Sequence, residues 1–312
     1  MPTSLSSPDQ AAAAFGSLVG GGVERRELDR GGRALRWLEA GNGAPTVVLE
    51  AGAMSPVAGF AAIFKALTPD HRVIAYDRAG YGASDAAAVD LDLQLDDLMA
   101  ILEEAGPGPC VMVGHSWGGL LAQLVTWARP ELIRGLVLVD PSHETFWSEL
   151  TPERLVEIGR HPSRTSPASE DPRSTNVLRY GRELATDVAR SIGGDPHVQE
   201  LLIEACLSYL ETDEQLFTYL DEVPMIIDHL DELVARRSKG VWPKVPVVLL
   251  TATKGRPEDS TADVIAVQDQ VVAAVNGRHV IVPDAGHHIH VDRPDLVAKC
   301  VREVASILRP HH

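Results

Sequence analysis

Cys110-Val111-Met112-Val113-Gly114-His115-Ser116-Trp117-Gly118-Gly119-Leu120 is the stretch on which the fold turns. Its first four residues read as a buried strand, and Leu120 to Ala128 reads as a helix stopped near Pro130. Between them Gly114-His115-Ser116-Trp117-Gly118 fits G-x-S-x-G, the pattern of a sharp strand-to-helix turn. Such a turn puts Ser116 in a strained backbone conformation and lifts its hydroxyl clear of the sheet. Small residues at 114 and 118 avoid clashes, and the helix N-terminus favours negative charge developing above it. The bland alternative is a Gly-rich turn with no chemistry. A strand running straight in and a helix running straight out favour the nucleophile.

Outward from the turn, Val23–Leu28 and Ala34–Glu39 read as strands joined at Asp29-Arg30-Gly31-Gly32. Thr46–Glu50, Arg72–Tyr76 and Gly135–Val139 are short apolar runs, while Phe60–Leu67 and Leu91–Glu104 have helical spacing. Alternating elements with continuous apolar strands predict an α/β fold with a mostly parallel sheet covered on both faces. From Pro141 to about Gly240 the alternation stops. Helices are expected at Glu153–Arg160, Val177–Ile192, Val198–Glu211 and Glu214–Arg237, the last broken at Pro224, with a loop over Pro162–Arg173. The rhythm resumes with strands Val245–Leu250 and His279–Val282 and helices Ala262–Val275 and Pro294–Leu308. The organisation predicted is a flexible extension over 1–22, a core over 23–140, a helical cap or lid over 141–240, and the rest of the core over 241–312.

The 312 residues are 45% hydrophobic and 23% charged, an ordinary globular mix, but only 5% aromatic, so Leu, Val and Ala must build most of the core. The net charge is −16, from 44 acidic and 28 basic residues, which argues against nucleic-acid and membrane-surface partners. Cys110, Cys206 and Cys300 are odd in number and far apart, so free buried thiols in a reducing compartment are expected. Ala11 to Val23 is too short to span a membrane and lacks the basic start of a signal peptide. A cytoplasmic location is the expectation.

The whole pattern resembles the α/β-hydrolase family, from about Val23 to Leu308. Four motifs carry the resemblance in order. They are Glu50-Ala51-Gly52-Ala53 after a strand, the Asp77-Arg78-Ala79-Gly80-Tyr81-Gly82-Ala83-Ser84 turn, the Ser116 elbow, and Ala285-Gly286-His287 followed by Asp292-Arg293-Pro294. The resemblance implies Ser116 as nucleophile and His287 as general base. It implies an oxyanion hole from the backbone N–H groups of Ala53 and Trp117. Ala51 stands where the family often has His, which removes a neighbouring group but no N–H donor. Asp77 and Arg78 are expected to hold their own loop and its neighbours.

The acid is less direct. In the commoner family arrangement its position falls on Gly255, and Glu258, Asp259 and Asp263 come late. A minority arrangement uses the end of the preceding strand, where Asp140 lies, followed by Pro141. Asp140 is favoured over Asp259 and its neighbours, against the alternative of a turn cap. His287-His288-x-His290 invites a metal reading, but no acidic or Cys partner has ligand spacing. No metal and no cofactor are expected. His288 and His290 are read as pocket wall or surface, and His115 as pointing inward.

The expected activity is acyl transfer to water from a medium-sized apolar ester, lactone or thioester. Of the apolar and aromatic cap residues, among them Phe146, Trp147, Tyr180 and Met225, most are read as cap core and some as lining an apolar pocket. The expected partners are a small-molecule substrate and, at most, a second copy of the chain. Serine at 116 argues against the aspartate-using dehalogenase and epoxide hydrolase branches. Competing readings are a C–C bond hydrolase or acyl-eliminating lyase with the same triad, and a binding protein that keeps the triad as a pocket. A nucleotide-binding α/β fold is disfavoured by the absence of GxGxxG and of a P-loop lysine.

Overall fold

A computed structural model describes residues 7–148, 167–207, 210 and 212–307. Eight strands are β1 (Glu24–Asp29), β2 (Ala34–Ala40), β3 (Val47–Glu50), β4 (Val73–Tyr76), β5 (Cys110–His115), β6 (Ile133–Val139), β7 (Val247–Ala252) and β8 (Arg278–Val282). They form one sheet in the order β1-β2-β4-β3-β5-β6-β7-β8. Only β2 pairs antiparallel, with β1 and β4. The strands from β4 to β8 are parallel, so their carboxyl ends share one edge, where sites collect in such sheets.

The period of two along each strand divides the core. Val47, Leu49, Val111, Val113, Val137 and Val139 face one layer. Val48, Cys110, Met112, Leu136 and Leu138 face the other. The first layer is covered by α1 (Ser7–Val19), α2 (Ala61–Leu67) and α12 (Pro294–Ser306), and the second by α3 (Leu91–Glu104), α4 (Ser116–Ala128) and α10 (Glu258–Val275). Asp90 caps α3, accepting from the Leu93 N–H at 3.0 Å.

Between β6 and β7 the described residues form helices and no strand. They are α5 (Glu144–Ser148), α6 (Ser174–Ile192), α7 (Pro196–Leu207), α8 (Asp213–Asp228) and α9 (Leu230–Lys239), with the short α11 (Ile289–Asp292) later in the chain. The helix expected at Glu153–Arg160 lies outside the described residues. Pro224 sits inside α8 and does not break it; the break falls at His229. Proline removes the N–H that would meet the Leu220 carbonyl. The Arg173 guanidinium donates to that carbonyl instead, at 3.1 Å.

Within the extension expected to be flexible over 1–22, Ser7–Val19 form helix α1. In α1, Ala14 and Phe15 are fully buried, and Phe15 meets Phe64 edge-on with ring centroids 4.8 Å apart. The Ala-rich stretch that looked like a loose tail supplies the small residues that let a helix pack closely on α2 and α7. The helix leaving the elbow begins at Ser116, four residues before the expected Leu120. Among the described residues, no helix is long and apolar enough to cross a membrane.

Because Phe15 is fully buried, Phe15→Ala should cost about 3 kcal/mol of stability. Chemical denaturation reads this. A loss below about 0.5 kcal/mol, the range of an ordinary surface substitution, would detach α1 from the core.

Candidate active site

Ser116 has φ +49°, in the left-handed region, at the junction of β5 and α4. The chain can make this turn only where neighbours lack side chains. A Cβ on Gly114 would lie 2.6 Å from the Gly118 carbonyl oxygen, and one on Gly118 would lie 2.4 Å from that of Ala51. Ser116 is 9% exposed, and its Oγ lies 3.3 Å from Ser142 Oγ. Among the described residues Ser116 makes no hydrogen bond to His287. Such bonds commonly form only once substrate is bound.

Asp140 follows β6 with φ +44° and is buried. Its Oδ1 accepts from the Ala252 N–H at 3.1 Å. Its Oδ2 lies 2.6 Å from His287 Nδ1 and accepts from the Arg256 guanidinium at 2.5 Å. If Nδ1 carries the proton toward Asp140, Nε2 of His287 is left unprotonated. The His287 side chain is 46% exposed, open to substrate and water. Glu258, Asp259 and Asp263 are exposed along α10, and none of them bonds His287.

The N–H groups of Ala53 and Trp117 donate to no partner among the described residues. Gly52 lies against Ser116, where a Cβ would sit 3.2 Å from Ser116 Cβ. The Trp117 side chain is fully buried and donates to Gln94 Oε1 at 2.8 Å, so it is core and not pocket wall. Asp77 accepts from the Val57 N–H at 2.9 Å and the Ala83 N–H at 3.2 Å, bracing its loop.

Behind Ser116, Asp140 and His287 lies a cluster of imidazoles. His115 and His290 are buried, not at the surface, and His288 is partly so. His115 Nε2 lies 3.0 Å from the His287 carbonyl oxygen, and His288 Nε2 lies 3.2 Å from the Tyr180 hydroxyl. Burial first, then neighbouring imidazoles, holds His115 and His290 well below the ordinary range and pushes His288 down to about 3. All three are therefore neutral near pH 7. The spacing read from sequence linked His287, His288 and His290. The group drawn together is His115, His288 and His290, with ligand nitrogens within 4.8 Å of one another. Among the described residues no carboxylate joins this group.

Sequence reasoning missed Ser142, Arg256 and Gln94. Ser142 had a faint signal, two residues after Asp140. Arg256 had none, because only the fold carries it to the carboxylate.

Below its ordinary value of 6.5 the unfolded chain protonates His288, whereas the folded chain does so only near pH 3. The unfolded state binds more protons across that window, so stability falls as pH drops through it. Melting temperature should decline more steeply from about pH 6.5 to about pH 4 in wild type than in His288→Gln. Parallel slopes would show that His288 accepts its proton in the folded state.

The model of the alpha/beta hydrolase family matches residues 41–299. Epoxide hydrolase 4 of Mus musculus is 37% identical over 99 residues, 30% of this chain and 26% of that protein. The matched region thus spans about a quarter of that relative's length. The sn-1-specific diacylglycerol lipase ABHD11 of Danio rerio is 27% identical over 271 residues, 84% of this chain and 78% of that protein. Among solved structures, Cfl2 from Burkholderia cenocepacia superposes with a TM-score of 0.68 at 20% identity, covering 91% of this chain and 96% of that one. That likeness concerns the fold alone. With the elbow, the sheet order and the family match over residues 41–299 in agreement, the chain belongs to the α/β-hydrolase family.

Proposed function

We propose that the chain is a serine hydrolase that cleaves a medium-sized apolar ester, lactone or thioester through an acyl-enzyme. The observation that carries this reading is the 2.6 Å contact between Asp140 Oδ2 and His287 Nδ1, on the same sheet edge as the left-handed Ser116. His287 Nε2 takes the Ser116 proton as Oγ attacks the carbonyl. The charge on the carbonyl oxygen meets the free N–H groups of Ala53 and Trp117. Asp140 holds the imidazole and stabilises its cation, and the imidazolium returns its proton to the leaving group. Water repeats the sequence to release the acid. The ester-cleaving diacylglycerol lipase relative supports this reading over the epoxide hydrolase one, since Ser116 occupies the nucleophile position. The three cysteines are free and buried, in keeping with a cytoplasmic setting.

Hydrolysis of p-nitrophenyl esters of graded acyl length, with fluorophosphonate labelling, tests the reading. Ser116→Ala should lower kcat on the order of 10⁶-fold and abolish labelling while the protein stays folded. Near-wild-type turnover in that variant would sink the mechanism. Asp140→Asn should lower kcat by roughly 10⁴, because the amide favours the wrong tautomer and cannot stabilise the cation. Comparable losses in Asp259→Asn or Asp263→Asn would move the acid to α10. EDTA should leave the rate unchanged.

A further inference from the structure

The hydrogen-bond network around Arg78 reaches far beyond its own loop. Arg78, Glu50 and Glu222 are buried. Arg78 Nη1 donates to Glu50 Oε1 at 2.7 Å and to the Ala51 carbonyl at 2.6 Å. Its Nη2 donates to the Gly52 carbonyl at 2.9 Å and to Glu222 Oε1 at 2.8 Å. Glu222 comes from α8, in the inserted helices, 144 residues away in sequence.

The bond to Gly52 matters because of peptide geometry. The Gly52 carbonyl and the Ala53 N–H belong to one planar trans peptide and point in opposite directions. Holding the carbonyl on Arg78 therefore fixes the Ala53 N–H in the opposite direction, away from the guanidinium. The next peptide is held as well. Met54 has φ +55°, unusual for a residue with a side chain, and its N–H donates to Glu222 Oε2 at 2.9 Å. The side chain of Trp117, whose backbone N–H is the other donor, is reached through one residue. Gln94 Nε2 donates to Glu222 Oε1 at 2.9 Å, and Gln94 Oε1 accepts from Trp117 Nε1 at 2.8 Å.

We infer that Glu222 and Arg78 are positioning residues for the oxyanion hole, so that the hole has its working geometry only when helix α8 is docked. One carboxylate from the inserted helices is one bond from the loop beside Ala53 and one residue from the side chain of Trp117. The inference rests on the serine-hydrolase reading above and adds the inserted helices as part of the catalytic apparatus. It explains why Glu222 is a carboxylate. Oε1 receives Arg78 and Gln94, and Oε2 receives Met54 N–H and the Tyr81 hydroxyl. Every partner is a donor, so an amide sets N–H against N–H in either orientation.

The test is Glu222→Gln, nearly equal in volume, assayed with p-nitrophenyl butyrate and normalised to titrated active sites. A second readout is inhibition by a trifluoromethyl ketone, whose serine adduct places an oxyanion in the hole, against the parent methyl ketone, which stays largely unadducted. We expect kcat to fall roughly 10–100-fold with KM changed less than about threefold, and trifluoromethyl ketone affinity to fall in parallel. Methyl ketone affinity should hold, and the ratio of the two does not depend on how much protein is folded. Gln94→Leu, which cuts only the Trp117 arm, should lose about tenfold in kcat. If wild type is active and both variants keep kcat and ketone discrimination, the inference is overturned and the serine reading stands. Wild-type protein that neither turns over the ester nor binds the trifluoromethyl ketone would overturn both.

Discussion

The left-handed backbone at Ser116 is the constraint to which the surrounding architecture conforms. A serine with φ +49° at the end of a parallel strand needs the neighbouring backbone at near-contact distance. A Cβ on Gly119 would lie 2.7 Å from Pro141 Cβ, and one on Gly52 would lie 2.7 Å from His115 Nδ1. With the approaches at Gly114 and Gly118, the end of β5, the start of α4, the loop after β3 and the loop after β6 are drawn around one hydroxyl. Because β6 pairs parallel beside β5, the same geometry brings Asp140 to that edge, and the loop after β8 brings His287.

Charge is handled differently on the two sides of Ser116. On the His287 side, Asp140 is buried but shared between His287 and Arg256, so its charge meets two partners. The imidazoles behind it are neutral, which spares the site a concentration of buried positive charge. On the Gly52 side, Arg78 is enclosed by Glu50 and Glu222, and Tyr76 and Tyr81 donate to those carboxylates. Breaking a buried ionic network by removing one member is far costlier than the network is stabilising. Its worth is better sought in the backbone it orients.

The inserted helices are bound into the core at several points. Leu184, Ala185 and Val188 of α6 and Leu201 and Leu202 of α7 share a hydrophobic layer with Phe15 and Phe64. Tyr81, from the loop after β4, joins a separate cluster with Phe217, Tyr219 and Leu220 of α8. Arg237 of α9 pairs with Glu144 and also donates to Gln123 of α4 at 3.2 Å. An insert held this way is continuous with the core beneath it.

The sequence by itself determined the order of the strands and helices, the turn at Ser116 and the loop that carries His287. These are written in local patterns: apolar runs of strand length, glycines at fixed offsets, and helical periodicity over 91–104. With the family resemblance, it narrowed the expected acid to Asp140 or the carboxylates near 258–263. Only the tertiary structure decided what depends on partners distant in sequence. Arg256 reaches Asp140 across 116 residues, and Glu222 reaches Arg78 across 144. Nothing in the spacing of either residue marks it. Phe15 looked like part of a loose tail because a short Ala-rich helix gains its stability from the apolar face it covers, and that face is built by α2 and α7. Pro224 looked like a helix end because the guanidinium that takes the freed carbonyl comes from Arg173, outside α8. Local patterns specify the elements, whereas buried polar partnerships arise only when the fold excludes water from groups that chain position keeps apart.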